Sequence, residues 1–278
     1  MDITQSLILG LVQGLTEFLP VSSTAHLIIT PAVFGWTLTP EFEQAKFVFD
    51  ILVQWGTLLA VIVYFWRDLW AILRAVLAGL AARRPFAAPE ARLGWLIVVA
   101  TLPAAAAGVA FKDLVEQLHA QPYAVVGILI VFSGLIYAVE RIGRRDHGLD
   151  QLTWRDALVV GLAQALALVP GVSRSGATIA GGLLVGLDRQ AAARFSFLAS
   201  IPALLGAGAL ALKDLFELPN TAAVAPPLLA GTAVATGVGF ACIHWLLGYL
   251  AKRSMDVFVW YRLIAGALFL AVLAWRGA

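Results

Sequence analysis

The 278-residue sequence is short of what a soluble or secreted domain relies on. Only 13% of its residues are charged and 61% are hydrophobic, whereas a soluble domain carries roughly 25% charge. A water-soluble globule is excluded. The one cysteine, Cys242, has no partner within the chain, so no disulfide framework is available. The glycines follow no three-residue period and polar runs are scarce, which excludes collagen-like and disordered chains. The apolar runs are continuous, without the alternation over about ten residues that an outer-membrane strand needs. Net charge is +2, with the basic residues spread between apolar runs, so no nucleic acid is expected as a partner. The start, Met1-Asp2, has no basic region and no small-residue cleavage site, so no removable signal peptide is expected.

What the sequence does have is long apolar runs. A bilayer core of about 30 Å is crossed by about 20 helical residues. Six runs meet that length: Phe47 to Trp66, Leu93 to Phe111, Tyr123 to Val139, Phe195 to Leu212, Pro227 to Leu250 and Val257 to Trp275. Two others, Ser6 to Leu19 and Ala157 to Val169, stop early at Pro20-Val21-Ser22-Ser23-Thr24 and Pro170-Gly171-Val172-Ser173-Arg174-Ser175-Gly176. Each then resumes as a second short apolar piece, the pattern of a re-entrant helix-loop-helix. Trp66, Trp70, Trp95, Trp154 and Trp275 read as interfacial anchors.

The two interrupted segments echo each other at an offset of 151 residues. Gly10-Leu11 matches Gly161-Leu162, Gln13 matches Gln164, Leu15 matches Leu166, Val21-Ser22 matches Val172-Ser173, and Ile28 matches Ile179. Further on, Ala45-Lys46-Phe47-Val48-Phe49 resembles Ala193-Arg194-Phe195-Ser196-Phe197. The expected fold is therefore an all-α polytopic membrane protein, a single integral membrane domain over residues 1–278. It holds six transmembrane helices and two re-entrant hairpins in two repeats, 1–145 and 146–278. Three spans per repeat turn the second repeat upside down, giving inverted topology.

Charge orients the chain. With both termini on one side, the opposite side receives Arg67, Arg74, Arg83, Arg84, Arg92, Arg141, Arg144, Arg145, Arg155, Arg189, Arg194, Lys252 and Arg253. The terminal side keeps Lys46, Lys112, Lys213 and Arg276, and Arg174 and Arg262 fall within membrane segments. The positive-inside rule makes the arginine-rich side cytoplasmic. Both termini are then expected on the outer, periplasmic side, and the two tips should meet near the midplane, where unwound backbone survives only if it is buried or lines a wet cavity.

The first tip carries Gln13, Glu17, Ser22, Ser23, Thr24 and His26, with Gln13 and Glu17 on one helical face. The second carries Ser173, Arg174, Ser175 and Thr178. Helix-start amides, hydroxyls and a guanidinium fork suit an oxyanion, most naturally phosphate. Blander roles stand beside this one. Glu17 and Arg174 also suit a structural ion pair, His26 a packed core position, and the serines and threonines helix caps. Arg262, near the start of the last span, reads as a snorkelling residue. His119, His147 and His244 lie apart and read as surface or interfacial.

These two motifs, Gln13 through His26 and Pro170 through Thr178, resemble those of the undecaprenyl-pyrophosphate phosphatase family, the bacitracin-resistance membrane proteins of bacteria, and the resemblance runs over essentially the whole chain. It implies a bacterial inner-membrane enzyme that removes a phosphate from polyprenyl pyrophosphate and so recycles the carrier for peptidoglycan synthesis. The family's acidic motif maps to Gln13 and Glu17, its loop Ser, His and Arg to Ser23, His26 and Arg174, and its phosphate-loop hydroxyls to Ser173, Ser175 and Thr178; Ser22 and Thr24 complete the substrate-binding set. Ser23 is the expected nucleophile with His26 as base or acid, and a nucleophilic His26 is the rival assignment. Glu17 orients or deprotonates one of these, or ligates a divalent cation, Mg²⁺ or Ca²⁺; Gln13 leaves such a site one carboxylate fewer. Partners are the polyprenyl pyrophosphate and the surrounding membrane lipids, with a homodimer left open. A transporter or flippase of phosphorylated lipid or anion is the competing function, since such proteins share inverted repeats and broken helices.

Overall fold

A computed structural model of the chain describes residues 1–37, 46, 48–217 and 221–276, with side chains for all of these except 210–217 and 221–224. Ala45 and Phe47, which belong to the second echo and to the start of the first full span, lie outside the described residues. The helices are α1 (Ile3–Thr16), α2 (Ser23–Phe34), α3 (Gln54–Tyr64), α4 (Trp66–Ala81), α5 (Pro89–Ala110), α6 (Lys112–His119), α7 (Pro122–Ile142), α8 (Trp154–Leu166), α9 (Arg174–Leu184), α10 (Arg189–Glu217), α11 (Thr221–Leu250) and α12 (Asp256–Arg276). Among the described residues, Lys46 and residues 48–52 are also helical, and there are a 3₁₀ turn at Leu149–Gln151 and an isolated bridge between His147 and Leu187.

Five helices or parts of helices are long and apolar enough to cross a membrane: α5, α7, Arg189–Ala209 of α10, Ala225–Leu250 of α11, and α12. A sixth span results if Val48–Tyr64 and α4, which meet at a 76° bend, are counted as one. The chain is thus an all-helical, multi-pass membrane protein. The bend differs from the sequence reading, which runs one span through Trp66 and places Arg67 to Arg92 between spans. Helix α3 ends at Tyr64, and α4 folds onto α5, where a methyl group on Gly94 would lie 2.8 Å from Ile72 and 2.9 Å from Val76.

The four helices that flank the two interruptions are short. Helices α1, α2, α8 and α9 have 14, 12, 13 and 11 residues, so none exceeds about 21 Å. Their boundaries follow from the sequence. Helix α1 opens with a capping box in which Asp2 accepts from the Gln5 amide (2.8 Å) and Gln5 accepts from the Asp2 amide (2.9 Å); α8 opens with the same device between Thr153 and Asp156. Both stop before a proline, Pro20 or Pro170, where the ring removes a donor and clashes with the preceding turn.

Each of these helices is seated by a glycine. Helix α1 packs on α11, where a methyl on Gly10 would lie 2.3 Å from the Gly231 carbonyl. Helix α8 packs on α5, where a methyl on Gly161 would lie 2.7 Å from the Ala100 carbonyl. Helices α7 and α12 pack side by side. The core passes between the short helices: Phe18 and Val21 of the first interruption pack with Ile179, Phe195 and Phe197, and the Phe18 and Phe197 rings meet edge to face at 5.1 Å. Further along α7, buried Glu140 pairs with Arg189 and Arg145 and accepts from the Met255 amide at 3.3 Å, tying α7 to the starts of α10 and α12. Trp66, Trp70, Trp154 and Trp275 are exposed, whereas Trp95 is half-buried and donates to the Pro85 carbonyl.

Candidate active site

The segments between α1 and α2 and between α8 and α9 form two tips in direct contact. Each turns through a serine with a positive backbone angle, Ser22 (φ 72°) and Ser173 (φ 78°). That conformation costs a non-glycine residue about 1–3 kcal/mol, and each serine offsets part of it by capping the helix that comes next. Ser22 Oγ accepts from the Ala25 amide (3.4 Å) and Ser173 Oγ from the Gly176 amide (3.1 Å). Beside Ser173, Gly171 (φ 97°) leaves no room for a side chain, since a methyl there would lie 2.3 Å from the Val125 carbonyl.

Glu17, 6% exposed, is the hub. Its Oε2 accepts from Ser23 Oγ at 2.6 Å and from Gln13 Nε2 at 2.9 Å, and its Oε1 accepts from Arg174 Nη2 of the other tip at 2.5 Å. Three of the expected site residues therefore converge on the carboxylate of a fourth. Gln13 also approaches Thr57 Oγ1 of α3 at 3.4 Å. Two polar atoms here are buried without a partner among the described residues, Arg174 Nη1 and Gln13 Oε1. A buried guanidinium nitrogen left unsatisfied is a donor in waiting.

The remaining hydroxyls of the second tip are occupied. Ser175 Oγ donates across the interface to the Leu19 carbonyl at 2.9 Å and lies 3.2 Å from Ser173 Oγ. Thr178, fully buried, bonds the Arg174 carbonyl (2.7 Å) and Ser196 of α10 (2.5 Å), so it braces α9 within the core. Thr24 is half-buried in the first turn of α2 and takes no part in the network among the described residues. Of the tip hydroxyls, Ser23 alone donates to a carboxylate.

His26, one turn into α2, has both ring nitrogens committed. Nδ1 lies 2.8 Å from the Ser22 carbonyl and Nε2 lies 2.8 Å from the Tyr261 hydroxyl. A carbonyl only accepts, so Nδ1 carries the proton, and in the neutral ring Nε2 accepts from Tyr261. The two rings are nearly parallel, and Phe269 closes the far side of His26 edge-on. Sequence reasoning missed Tyr261, because an aromatic near a span end reads as an interfacial anchor.

Arg262 corrects an expectation. The sequence reads it as snorkelling, but its exposure is 0%. Its position in α12 turns it inward against α7, where Nε donates to Ser133 Oγ (2.8 Å) and Nη2 to the Leu129 carbonyl (2.9 Å). It also reaches the Pro20 carbonyl of the first tip (3.3 Å) and the Gly171 carbonyl of the second (3.1 Å). That Arg262 lies within the last apolar span is legible in the sequence; the face it takes is not. Of the other histidines, His244 is exposed and His119 and His147 are half-buried.

Among the described residues no group of three or more His, Cys, Asp and Glu is placed to hold a metal ion. The first tip still offers the Glu17 carboxylate and the unpartnered Gln13 Oε1, whose amide nitrogen donates to that carboxylate. Mg²⁺ is commonly held by one or two protein oxygens completed by substrate phosphates and water, so the donor set fits a cation that arrives with a phosphorylated substrate.

A family model described as bacitracin resistance protein BacA matches residues 6–268. Among curated proteins, the chain is 44% identical over 273 residues to an undecaprenyl-diphosphatase of Myxococcus xanthus, covering 98% of this chain and 90% of that one. It is 42% identical over 282 residues to one of Chloroherpeton thalassium, covering 99% and 98%. It is 45% identical over 272 residues to one of Mycobacterium ulcerans, covering 97% and 96%.

Proposed function

The chain belongs to the bacitracin resistance protein BacA family, and from that premise we propose that it is an undecaprenyl-diphosphatase, hydrolysing the polyprenyl diphosphate to monophosphate and inorganic phosphate. The lipid carrier returned in this way serves peptidoglycan synthesis. The observation that carries the mechanism is the shared carboxylate: Glu17 receives a hydroxyl from its own tip and a guanidinium from the other.

In this reading Ser23 Oγ attacks the terminal phosphorus and Glu17 takes its proton. A serine–phosphate bond forms, the bridging P–O bond breaks, and the polyprenyl monophosphate leaves. Water then cleaves the phosphoserine to inorganic phosphate. Arg174, through its unpartnered Nη1 and with the first-turn amides of α9, holds the non-bridging oxygens and the charge that develops on them. Ser22, Ser173, Ser175, Thr24 and Thr178 shape the cradle. His26 serves as the acid or base toward the leaving phosphate or the water once its Nε2 is released by Tyr261. Glu17 and Gln13 Oε1 would hold Mg²⁺ or Ca²⁺, which neutralises diphosphate charge when bound. The polyprenyl tail passes sideways between helices into lipid, since a long hydrocarbon gains nothing in water.

The arrangement that presents this site is two inverted repeats whose re-entrant tips meet inside the bilayer, with both termini periplasmic and the arginine-rich loops in the cytoplasm of an inner membrane. Several correspondences at the 151-residue offset support it. Gly10 and Gly161 each seat a short helix, Gln13 and Gln164 each bury an unpartnered Oε1, and Ser22 and Ser173 share one backbone conformation and one capping role. The cross-packing supports it too, α1 on α11 and α8 on α5. One chain supplies both tips, so the site needs no second copy.

The direct test is phosphate release from undecaprenyl diphosphate by the detergent-solubilised protein, with and without chelator. Wild type is expected to release phosphate, and chelation to lower the rate by about tenfold, restored by added Mg²⁺ or Ca²⁺. No release under any of these conditions overturns the reading. Tyr261→Phe, which strips the donor from His26 Nε2, is expected to change the rate by up to about tenfold with a loss of about 1 kcal/mol in stability; rates and thermal melts identical to wild type would show that the hydroxyl does not matter to the ring.

A further inference from the structure

We infer that Arg262 is the positioning residue that fixes the spacing of the two tips, and that phosphoryl transfer depends on its forked geometry beyond its charge. The inference rests on the diphosphatase reading and adds to it a residue that belongs to neither tip. Arg262 sits in α12 and is wholly buried. One edge of its guanidinium is anchored to α7 through Ser133 Oγ and the Leu129 carbonyl. From that anchor it donates to the carbonyls of Pro20 and Gly171, one in each tip.

Pro20 and Gly171 are equivalent positions, separated by the same 151 residues as Gly10 and Gly161. One side chain therefore gauges both tips against a common reference. Reaching oxygens on three segments at once requires a rigid planar fork; an ammonium on a flexible stem is a point donor and cannot hold all of them. The other bonds that bridge the tips, Glu17 to Arg174 and Ser175 to Leu19, use groups that face the substrate or adjoin those that do. When Arg174 turns to a phosphate, the grip of Arg262 remains and keeps Ser23 and Arg174 at working distance. The hydrogen-bond partners of Arg262 among the described residues are neutral oxygens and its guanidinium lies over the Phe132 ring, so no carboxylate pairs with its charge, which adds a secondary attraction for the diphosphate.

The test uses full-length Arg262→Lys, Arg262→Met and Ser133→Ala proteins in detergent, read by kcat and KM with undecaprenyl diphosphate, by thermal melting, and by amide hydrogen exchange across 17–23 and 170–176. Arg262→Lys keeps the charge and loses the fork, so kcat should fall at least about tenfold with KM within about threefold. Exchange should quicken in both tips together. Arg262→Met should lose as much kcat and raise KM as well. Ser133→Ala, which spares both tip contacts, should lose less than Arg262→Lys. A wild-type kcat in Arg262→Lys, exchange that quickens in neither tip, or a loss no larger than the unfolded fraction would overturn the inference. If the methionine variant does not fold, the lysine and Ser133 variants decide. Should wild type release no phosphate, the diphosphatase reading fails, while the exchange measurement still judges the clamp.

Discussion

Ser23→Ala is expected to lower phosphate release from undecaprenyl diphosphate by at least about 10³-fold while leaving apparent affinity within about threefold. The expectation rests on how the tip hydroxyls divide. Ser22 and Ser173 cap helices, Ser175 bridges to Leu19, and Thr178 bonds Ser196 inside the core. Ser23 is left with its hydroxyl against the Glu17 carboxylate at 2.6 Å, the short charge-assisted contact that readies a nucleophile. His26 does not activate it in this state, since both ring nitrogens are bonded elsewhere. Rate and binding must be measured together. A protein that only transports phosphorylated lipid has no use for a nucleophile, so transport would survive the substitution. Near wild-type release would instead move the nucleophile to His26, after release by Tyr261.

Arg174→Ala is expected to cost at least about 10²-fold in kcat/KM and to destabilise the protein. The second effect arises because Glu17 keeps its charge, its burial and two neutral donors but loses the guanidinium; breaking a buried pair from one side costs about 3–5 kcal/mol. The double variant Arg174→Ala/Glu17→Gln separates the two roles. Removing both charges should restore most of the melting temperature, measured in the same detergent, and none of the activity. If Arg174→Ala loses stability yet turns over at the wild-type rate, the pair is structural and the oxyanion role belongs elsewhere.

Both tips are legible in the sequence because Pro20 and Pro170-Gly171 interrupt runs that are otherwise continuously apolar, and polar residues gather at each break. Their convergence on Glu17 follows from the same reasoning, since a lone carboxylate and a lone guanidinium within apolar segments are costly apart. The division of labour among Ser22, Ser23 and Thr24 is not legible, because side chain type is the same and only the left-handed turn at Ser22 directs one hydroxyl onto the Ala25 amide. Helix α4 is hidden because Arg67 and Arg74 lower the average hydropathy of a stretch whose Leu69, Ile72 and Val76 still recur at helical spacing and meet α5 and the core. Tyr261 and Arg262 are hidden for a further reason. Neighbours in a helix diverge by about 100°, and which of them points inward is decided by how α12 lies on α7, a long-range property no local window contains.

Ser23 and Arg174 occupy the same place in the two tips: each comes directly after a serine of positive φ, each opens its helix, and each donates to Glu17, while the residue 151 positions after Glu17 is Leu168. The two donors are not interchangeable. An arginine in place of Ser23 would crowd a second guanidinium onto Glu17 and leave no hydroxyl there, and a serine in place of Arg174 would leave the buried carboxylate with neutral donors alone.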